Sequence, residues 1–526
     1  MKKKIINILI IIISFVLIYG AISINEMTIR ESQERILDEQ YNKKEEVIEE
    51  EVMLEEGGEA AQVEEEEKTN SFNGKELAII ITSTVIFVMS FFIIIYSTMN
   101  IFNAIKMPLT TLASVIYVLL VITVSVPIIV VTINYADKNY LNGERYEKEA
   151  MKRELASYVV KDTKKESNKK YESVKDDETV LKVTNESTYE ASKLELNKKD
   201  GKVSKENKDS GINDVVLVNN AASVTLKASS INTKVESSNA IFAEGQSTRL
   251  ELDDLTITTK DNNSKGIVAN NQSEVSIKNS VMATSGMNSP LFTSSSIINA
   301  ENITGTTNSH IATIFNTSTI SITNSIIETE LKEDKGIFNI ESNSTDSSYE
   351  TASLTLENST IKLLDKSKFY KTAPMFVVNN TNAQINITKN KLRYGSNILL
   401  SLTALENSSL KITTFTISDS VVKGNIIADK NSKARININT STYTGSINPT
   451  NASTSVDVTV DKYSTWNLTG NSYVDTITFQ NQKNIRKYIN SNGYNIYCNA
   501  ENNDWLEGKT ITLIGGGKLI PIKKAS

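Results

Sequence analysis

At 526 residues the chain is too long for one compact domain, and its formal net charge of −6 carries no Lys and Arg excess of the kind a nucleic-acid-binding surface needs. Its single cysteine, Cys498, excludes an internal disulfide framework and a cysteine-based metal site. Its single histidine, His310, excludes chemistry built on imidazole pairs or His-rich metal ligation, so neither a cofactor nor a metal is expected.

The first apolar run, residues 5–24, reads IINILIIIISFVLIYGAISI behind Lys2, Lys3 and Lys4. It approaches the ~20 residues that cross a bilayer, so residues 1–25 are predicted to be a transmembrane helix or signal anchor. Ala21 and Ser23 form a small-x-small pattern that leaves signal-peptide cleavage as the alternative. Two further charge-free runs, 77–99 and 107–135, each exceed ~18 residues and are predicted to span the membrane, with Pro127 bending the third helix. The N-terminal lysines and Lys106 in the short loop 100–106 place those segments in the cytoplasm. The acidic loop 26–76, with EEVIEEEVMLEE and Glu64 to Glu67, is then extracytoplasmic, as is everything after Tyr135. Such acidic runs are usually solvated and self-repelling. Residues 136–177 read as a charged stalk whose early part, YLNGERYEKEAMKRELASYVV, has helix-forming composition.

From residue 178 onward a pattern recurs: a short alternating apolar strand, a polar turn, another short strand. Clear copies are SVTLKASSINT, TRLELDDLTITT, EVSIKNSVMAT, STISITNSIIET and ASLTLENSTIKL. The onsets Val224, Leu250, Val275, Ile297, Ile320, Leu354, Ile385, Leu410, Ile436 and Val456 recur at intervals mostly near ~25 residues, a solenoid period. A further short strand lies between copies, as in NAIFAEG, KGIVANN and KGIFNIE. With no helical segments between them, these strands suit neither a βαβ sheet nor a long-stranded sandwich. The predicted fold is all-β, a right-handed parallel β-helix over 178–526 with a C-terminal cap, about ten to twelve coils long and preceded by three transmembrane α-helices.

Asn279, Asn302, Asn324, Asn358 and Asn390 follow the first strand of successive coils, with Asp254 in the equivalent place and Thr414 interrupting the series. The structural reading is a left-handed turn with amides stacked along the axis. The functional alternative is a metal or sugar ladder.

The segment SGINDVVLVNNAASVTLKASSINT with NAIFAEG, and the C-terminal STWNLTGNSYV and IYCNAENNDWLEGKTITLIGGGKLIP, resemble bacterial right-handed β-helix proteins with a pectin-lyase-like fold, described as adhesin-like. The resemblance runs from Thr179 to the C-terminus and is most specific at Trp466, Trp505 and Gly515, Gly516 and Gly517. It implies a surface protein and brings no catalytic motif. The chain departs from that pattern in its few turn glycines and in the membrane helices ahead of the rod. The two tryptophans make sense as part of a cap over the last coil.

Charged residues that could form a polysaccharide lyase or hydrolase site are Asp253 with Asp254, Glu328 with Glu330, and Lys389 with Lys391 near Arg393. They share no place in successive coils and read as solvent-facing charges, so no catalytic, cofactor-binding or metal residue is assigned. The expectation is an integral membrane protein of the cell membrane with its β-helix extracytoplasmic, acting as an adhesin-like binding module for glycans, cell-envelope components or surface proteins. A polysaccharide lyase or glycoside hydrolase is the first alternative, a passive envelope spacer the second. Nucleic acid is not an expected partner. High Asn, Lys and Ile usage points to an AT-rich bacterial genome.

Overall fold

A computed structural model describes residues 2–54, 71–101, 111–141, 155–205, 207–342, 351–406, 410–453, 455–480 and 482–523. The chain divides into two compact units, Met1–Glu154 and Leu155–Ser526.

The first unit is helical. Helix α1 spans Lys2–Leu54, α2 Gly74–Ile101 and α3 Thr111–Ala136. By length and composition two stretches, Lys4–Gln33 and Gly74–Met99, can cross a membrane, whereas the apolar run described in α3, Leu120–Ala136, is shorter. Among the described residues, then, two helices are long and apolar enough to cross a membrane and a shorter apolar helix stands where the third span is expected. Residues 102–110, which include Lys106 and the start of the expected third span, lie outside the described residues, as do Glu64 to Glu67.

The expected loop after residue 25 is also corrected, because α1 continues to Leu54. Residues 26–54 hold no Gly or Pro and are rich in Glu, Gln, Lys, Arg and Leu, all good helix formers. Asn73 caps α2: its Oδ1 accepts the amides of Lys75 and Glu76, and Glu76 Oε2 accepts the Asn73 amide at 2.8 Å, a reciprocal capping box. Glu76 also takes a forked pair of bonds from Arg35, at 2.8 and 3.0 Å, tying α1 to α2. Ile29, Ile80 and Ala136 form the unit's small buried cluster.

The second unit is built from short strands that return to the same sheet once per coil. Its main sheets hold eleven strands (sheet A), thirteen (sheet B) and nine (sheet C), all pairing in parallel. This is the connectivity of a parallel β-helix. One coil serves as the pattern: Arg249–Asp253 in sheet B, Thr256–Thr259 in sheet C, Ile267–Asn270 in sheet A, then Glu274–Lys278 beside the first strand. Alternating side chains enter the rod, so Leu250 stacks on Val275 and Leu252 on Ile277. The stacked columns form one continuous core, which includes the ring stack Phe338–Phe376–Phe415 with centroids 5.6 and 5.7 Å apart. Each such buried side chain contributes about 1.5–3 kcal/mol.

The rod begins earlier than expected. Strands Ala156–Val160, Lys164–Ser167 and Lys170–Ser173 make its first coil, inside the predicted stalk; residues 142–154 of that stalk lie outside the described residues. The polar composition there masks the strands because Glu166 points inward, accepting hydrogen bonds from the hydroxyls of Tyr158, Tyr171 and Tyr189 instead of packing as an apolar side chain. At the far end, Ile511–Thr512 pairs antiparallel with Lys518–Ile522, and Gly515 and Gly516 supply the positive φ values of the hairpin. Lys518–Ile522 is itself the last parallel strand, paired with Ile496–Asn499, and the reversal covers its other edge with Ile511–Thr512.

Three of the expected onsets fall out of register. In the column facing the core the structure places Ile298 rather than Ile297, Phe415 rather than Leu410, and Val458 rather than Val456. Ile297, one residue out, is turned to the opposite face and 41% exposed; Leu410 precedes its strand and is 49% exposed, and Val456, two residues out, stays buried.

Candidate functional site

The three faces of the rod differ in what they offer. Sheet A is covered on its outer side in the early coils: Leu217, Phe242 and Val268 point outward yet are buried. A Cβ on Gly211 would run into the Phe242 and Leu217 side chains, so the chain crosses that face at van der Waals contact.

Sheet B is open. Its outward middle row begins with the ion pair Lys165–Glu190, 2.8 Å apart, on the first two strands and continues in register as Thr225, Glu251, Ser276, Asn299, Ser321, Thr355, Asn386, Thr416, Asn437, Thr459 and Thr478 on the other eleven. Ten of these eleven side chains are short, neutral and able to donate or accept hydrogen bonds. Parallel strands lie ~4.8 Å apart, so the row is a ladder of polar groups along the axis. Glu251, Ser276, Asn299, Ser321, Lys278 and Glu301 line a shallow depression of about 280 Å³ on this face. Three pairs of flanking charges meet: Arg249 with Glu274 at 4.0 Å, Lys278 with Asp253 at 3.8 Å and Lys433 with Asp457 at 3.3 Å. Such exposed pairs contribute little stability, but they leave the neutral row as the face's recurrent chemistry.

The structure separates the charged candidates. Asp253 ends a sheet B strand and accepts the Asn279 amide at 2.8 Å, while Asp254 is the turn residue after it. Glu328 faces out from sheet C and pairs with Lys362 at 3.0 Å, and Glu330 pairs with Lys366 at 2.8 Å. Lys389 is a turn residue, and Lys391 and Arg393 are exposed on the last strand of sheet C.

The recurrent Asn turn takes the left-handed form. Asp254, Asn279, Asn302, Asn324 and Asn358 have φ between 47° and 57°. Two members of the series move, however. Lys389, not Asn390, occupies the left-handed position, and Thr414 lies inside the strand Lys411–Ser418, whose turn residue is Asp419 with φ 45°. Asn390 belongs to a second column, one residue further on and not anticipated from sequence. There the buried hydroxyls of Ser280, Ser325 and Ser359 accept the amides of Leu255, Ile303 and Ser325 from the preceding coil at 2.9–3.0 Å. Each also donates to the carbonyl two residues back. Asn390 accepts from the Ser359 amide in the same way. The repeated Asn-Ser dipeptides at 279–280, 324–325 and 358–359 carry the signal.

Several titratable groups of the rod are buried. His310 Nδ1 is 3.0 Å from Ser309 Oγ and Nε2 2.6 Å from Thr313 Oγ1. Ser309 donates on to Glu333 at 2.8 Å, which assigns the imidazole proton to Nδ1. Burial, reinforced by Lys335 and Lys265, pushes His310 down to about 3, so it is neutral. Full burial pushes Asp214 up to about 8 against the hydrogen bonds of Asn239. Lys198 replaces the buried Thr233 of the next coil and is pushed down to about 8 by burial, its ammonium donating to Ser173 Oγ and the carbonyls of Lys175 and Glu178. Burial also pushes the Cys498 thiol up to about 12, the state of an unreactive cysteine.

A second depression of about 280 Å³ lies over the outer side of sheet A, lined by Asp334, Lys335, Asn339, Glu341, Asn379 and Thr403 among others. Among the described residues, no group of three or more His, Cys, Asp or Glu side chains is placed to hold a metal ion.

No family model, no curated protein and no solved structure matches this chain. The class that the fold and the open face define is a parallel β-helix with apolar N-terminal helices.

Proposed function

We propose that this protein is a membrane-anchored surface binding module whose β-helix, right-handed and adhesin-like, stands outside the cytoplasmic membrane and binds glycans through the outer face of sheet B. The observation that carries this reading is the eleven-coil row from Thr225 to Thr478, ten of whose members are Ser, Thr or Asn. Many weak hydrogen bonds repeated along a rod suit an extended, hydroxyl-rich polymer better than a compact ligand. Anchoring is supported by the apolar helices: Ile5, Leu9, Ile12, Phe15 and Val16 are more than half exposed, with no protein surface covering them. Outward placement rests on Lys2, Lys3, Lys4 and Lys106.

The test is a neutral-glycan array probed with the full chain in detergent micelles, read for retention and for released sugar ends. Retention that Ser276→Arg with Ser321→Arg abolishes supports the reading, because the arginines fill the sheet B depression. Retention unchanged by that pair overturns it. A polysaccharide lyase or hydrolase is the second reading, favoured by the two carboxylates and the lysine around the sheet A depression. Product release lost in Glu341→Gln, with retention intact, would favour it.

A further inference from the structure

A second surface lies on sheet C, where coiling assembles cations that the sequence scatters. Glu328, Lys362 and Arg393 stand side by side on successive strands, and Thr360 is beside Lys391. Lys391 and Arg393 point to the same side of their strand, and both are exposed. The next strand on this side of the rod, Val421–Lys423, carries exposed Lys423 at its third position, as Arg393 is at the third position of its own. Tyr394 Oη donates to the Lys423 carbonyl and ties the two coils together. At the rim, the Lys368 ammonium lies 5.4 Å from the Phe369 ring centre and the Lys371 ammonium 5.4 Å from that of Tyr370.

Glu328 neutralises Lys362 at 3.0 Å. Lys391, Arg393, Lys423, Lys368 and Lys371 form no ion pair among the described residues. These five cations without ion pairs outnumber the Asp365 carboxylate beside Tyr370 and, on a chain of net charge −6, form a local field of the opposite sign to the whole molecule. Lys391 and Arg393, two residues apart on one strand, are ~6.8 Å apart along it. The surface is flanked by the hydroxyls of Thr360, Thr442 and Thr444.

We propose that this face binds a linear phosphodiester-linked polyol or glycan, a polyanion of the cell envelope. Four of the five cations are lysines, compact point charges that meet phosphate oxygens without the fixed fork geometry of an arginine. A single-stranded nucleic acid shares the phosphates but draws on free ring faces on which bases stack. Here Lys368 and Lys371 cover Phe369 and Tyr370, and the Tyr370 ring lies against Gly395, where a Cβ would collide with it. The choice of an envelope polymer rests on the extracytoplasmic reading above, while the site is separate from the sheet B row.

The test uses the full chain in detergent micelles and measures affinity for poly(glycerol phosphate), polygalacturonate, oligothymidylate and dextran at low and at physiological salt. Poly(glycerol phosphate) is expected to bind tightest and to weaken steeply with salt. Lys391→Glu, Arg393→Glu and Lys423→Glu together should lower that affinity about tenfold or more, whereas Lys234→Glu with Lys260→Glu, exposed elsewhere on the rod, should change it less than about twofold. The milder pair Lys391→Gln with Lys423→Gln should give an intermediate loss with an unchanged far-UV spectrum. Unaltered affinity in the triple variant, or tighter binding of oligothymidylate, polygalacturonate or dextran, overturns the proposal. Dextran binding lost only in the sheet B variants would bear on the neutral-glycan reading alone.

Discussion

The Asn358 side-chain amide donates to the Asn324 side-chain oxygen at 2.8 Å, although 34 residues separate the two in the chain. The same bond joins Asn302 to Asn279, also at 2.8 Å, and Asn279 bonds to Asp253. A residue chosen for its tolerance of a left-handed turn thus also links one coil to the next.

Replacing Asn358 separates those two roles. Asn358→Ala should destabilise the rod by about 1–2 kcal/mol, since alanine pays the left-handed strain and loses the amide bond. Asn358→Gly should cost about half as much, because glycine adopts φ near 47° without strain. Urea unfolding followed by far-UV circular dichroism will rank the two.

The serine column should be more sensitive than the asparagine ladder because it is buried. Ser325→Ala leaves the Ile303 amide without its acceptor and should cost about 1–3 kcal/mol. Ser325→Asn should recover part of this, as Asn390 already serves in the same column. Ser353→Ala, on the outer face, should change stability by less than about 0.5 kcal/mol.

His310 should make the rod acid-sensitive. Its folded pKa of about 3 lies below the ~6.5 of an unfolded histidine. The unfolded chain therefore binds the proton more readily, and the contribution of the neutral imidazole, complete above pH ~6.5, is lost as pH falls toward 3. His310→Gln should lose less stability than the native chain between pH 7 and pH 4. Equal losses in parallel unfolding curves would assign the acid sensitivity to carboxylates instead.

Trp466 should hold the C-terminal coils. It is fully buried, packs on Tyr443 with centroids 6.2 Å apart and donates Nε1–H to the Gly445 carbonyl at 2.9 Å. Trp466→Ala should cost about 3–5 kcal/mol locally. Because coils of a solenoid contact only their neighbours, hydrogen exchange should accelerate over 442–522 while strands between 249 and 363 keep their protection.

Short alternating strands at a steady period made the stacked parallel sheets legible, and the left-handed turns were legible in Asp254, Asn279, Asn302, Asn324 and Asn358. The register was less so. Ile297 and Ile298 are adjacent and identical, and only pairing with Val275 decides which one enters the core. The first coil was hidden because Glu166 fills its interior with a carboxylate bonded to tyrosines. The extension of α1 was hidden by acidic composition, which reads as a solvated loop although most of its residues are good helix formers.

The sequence by itself determined the materials: apolar helices, short strands, polar turns and a surplus of Ser, Thr and Asn. These follow from local periodicity and side-chain chemistry, which need no knowledge of distant neighbours. Only the tertiary structure decided which side chains share a row, because a row joins residues roughly 20 to 35 apart through parallel pairing. The neutral ladder of sheet B and the uncompensated cations Lys391, Arg393 and Lys423 exist as surfaces for that reason alone.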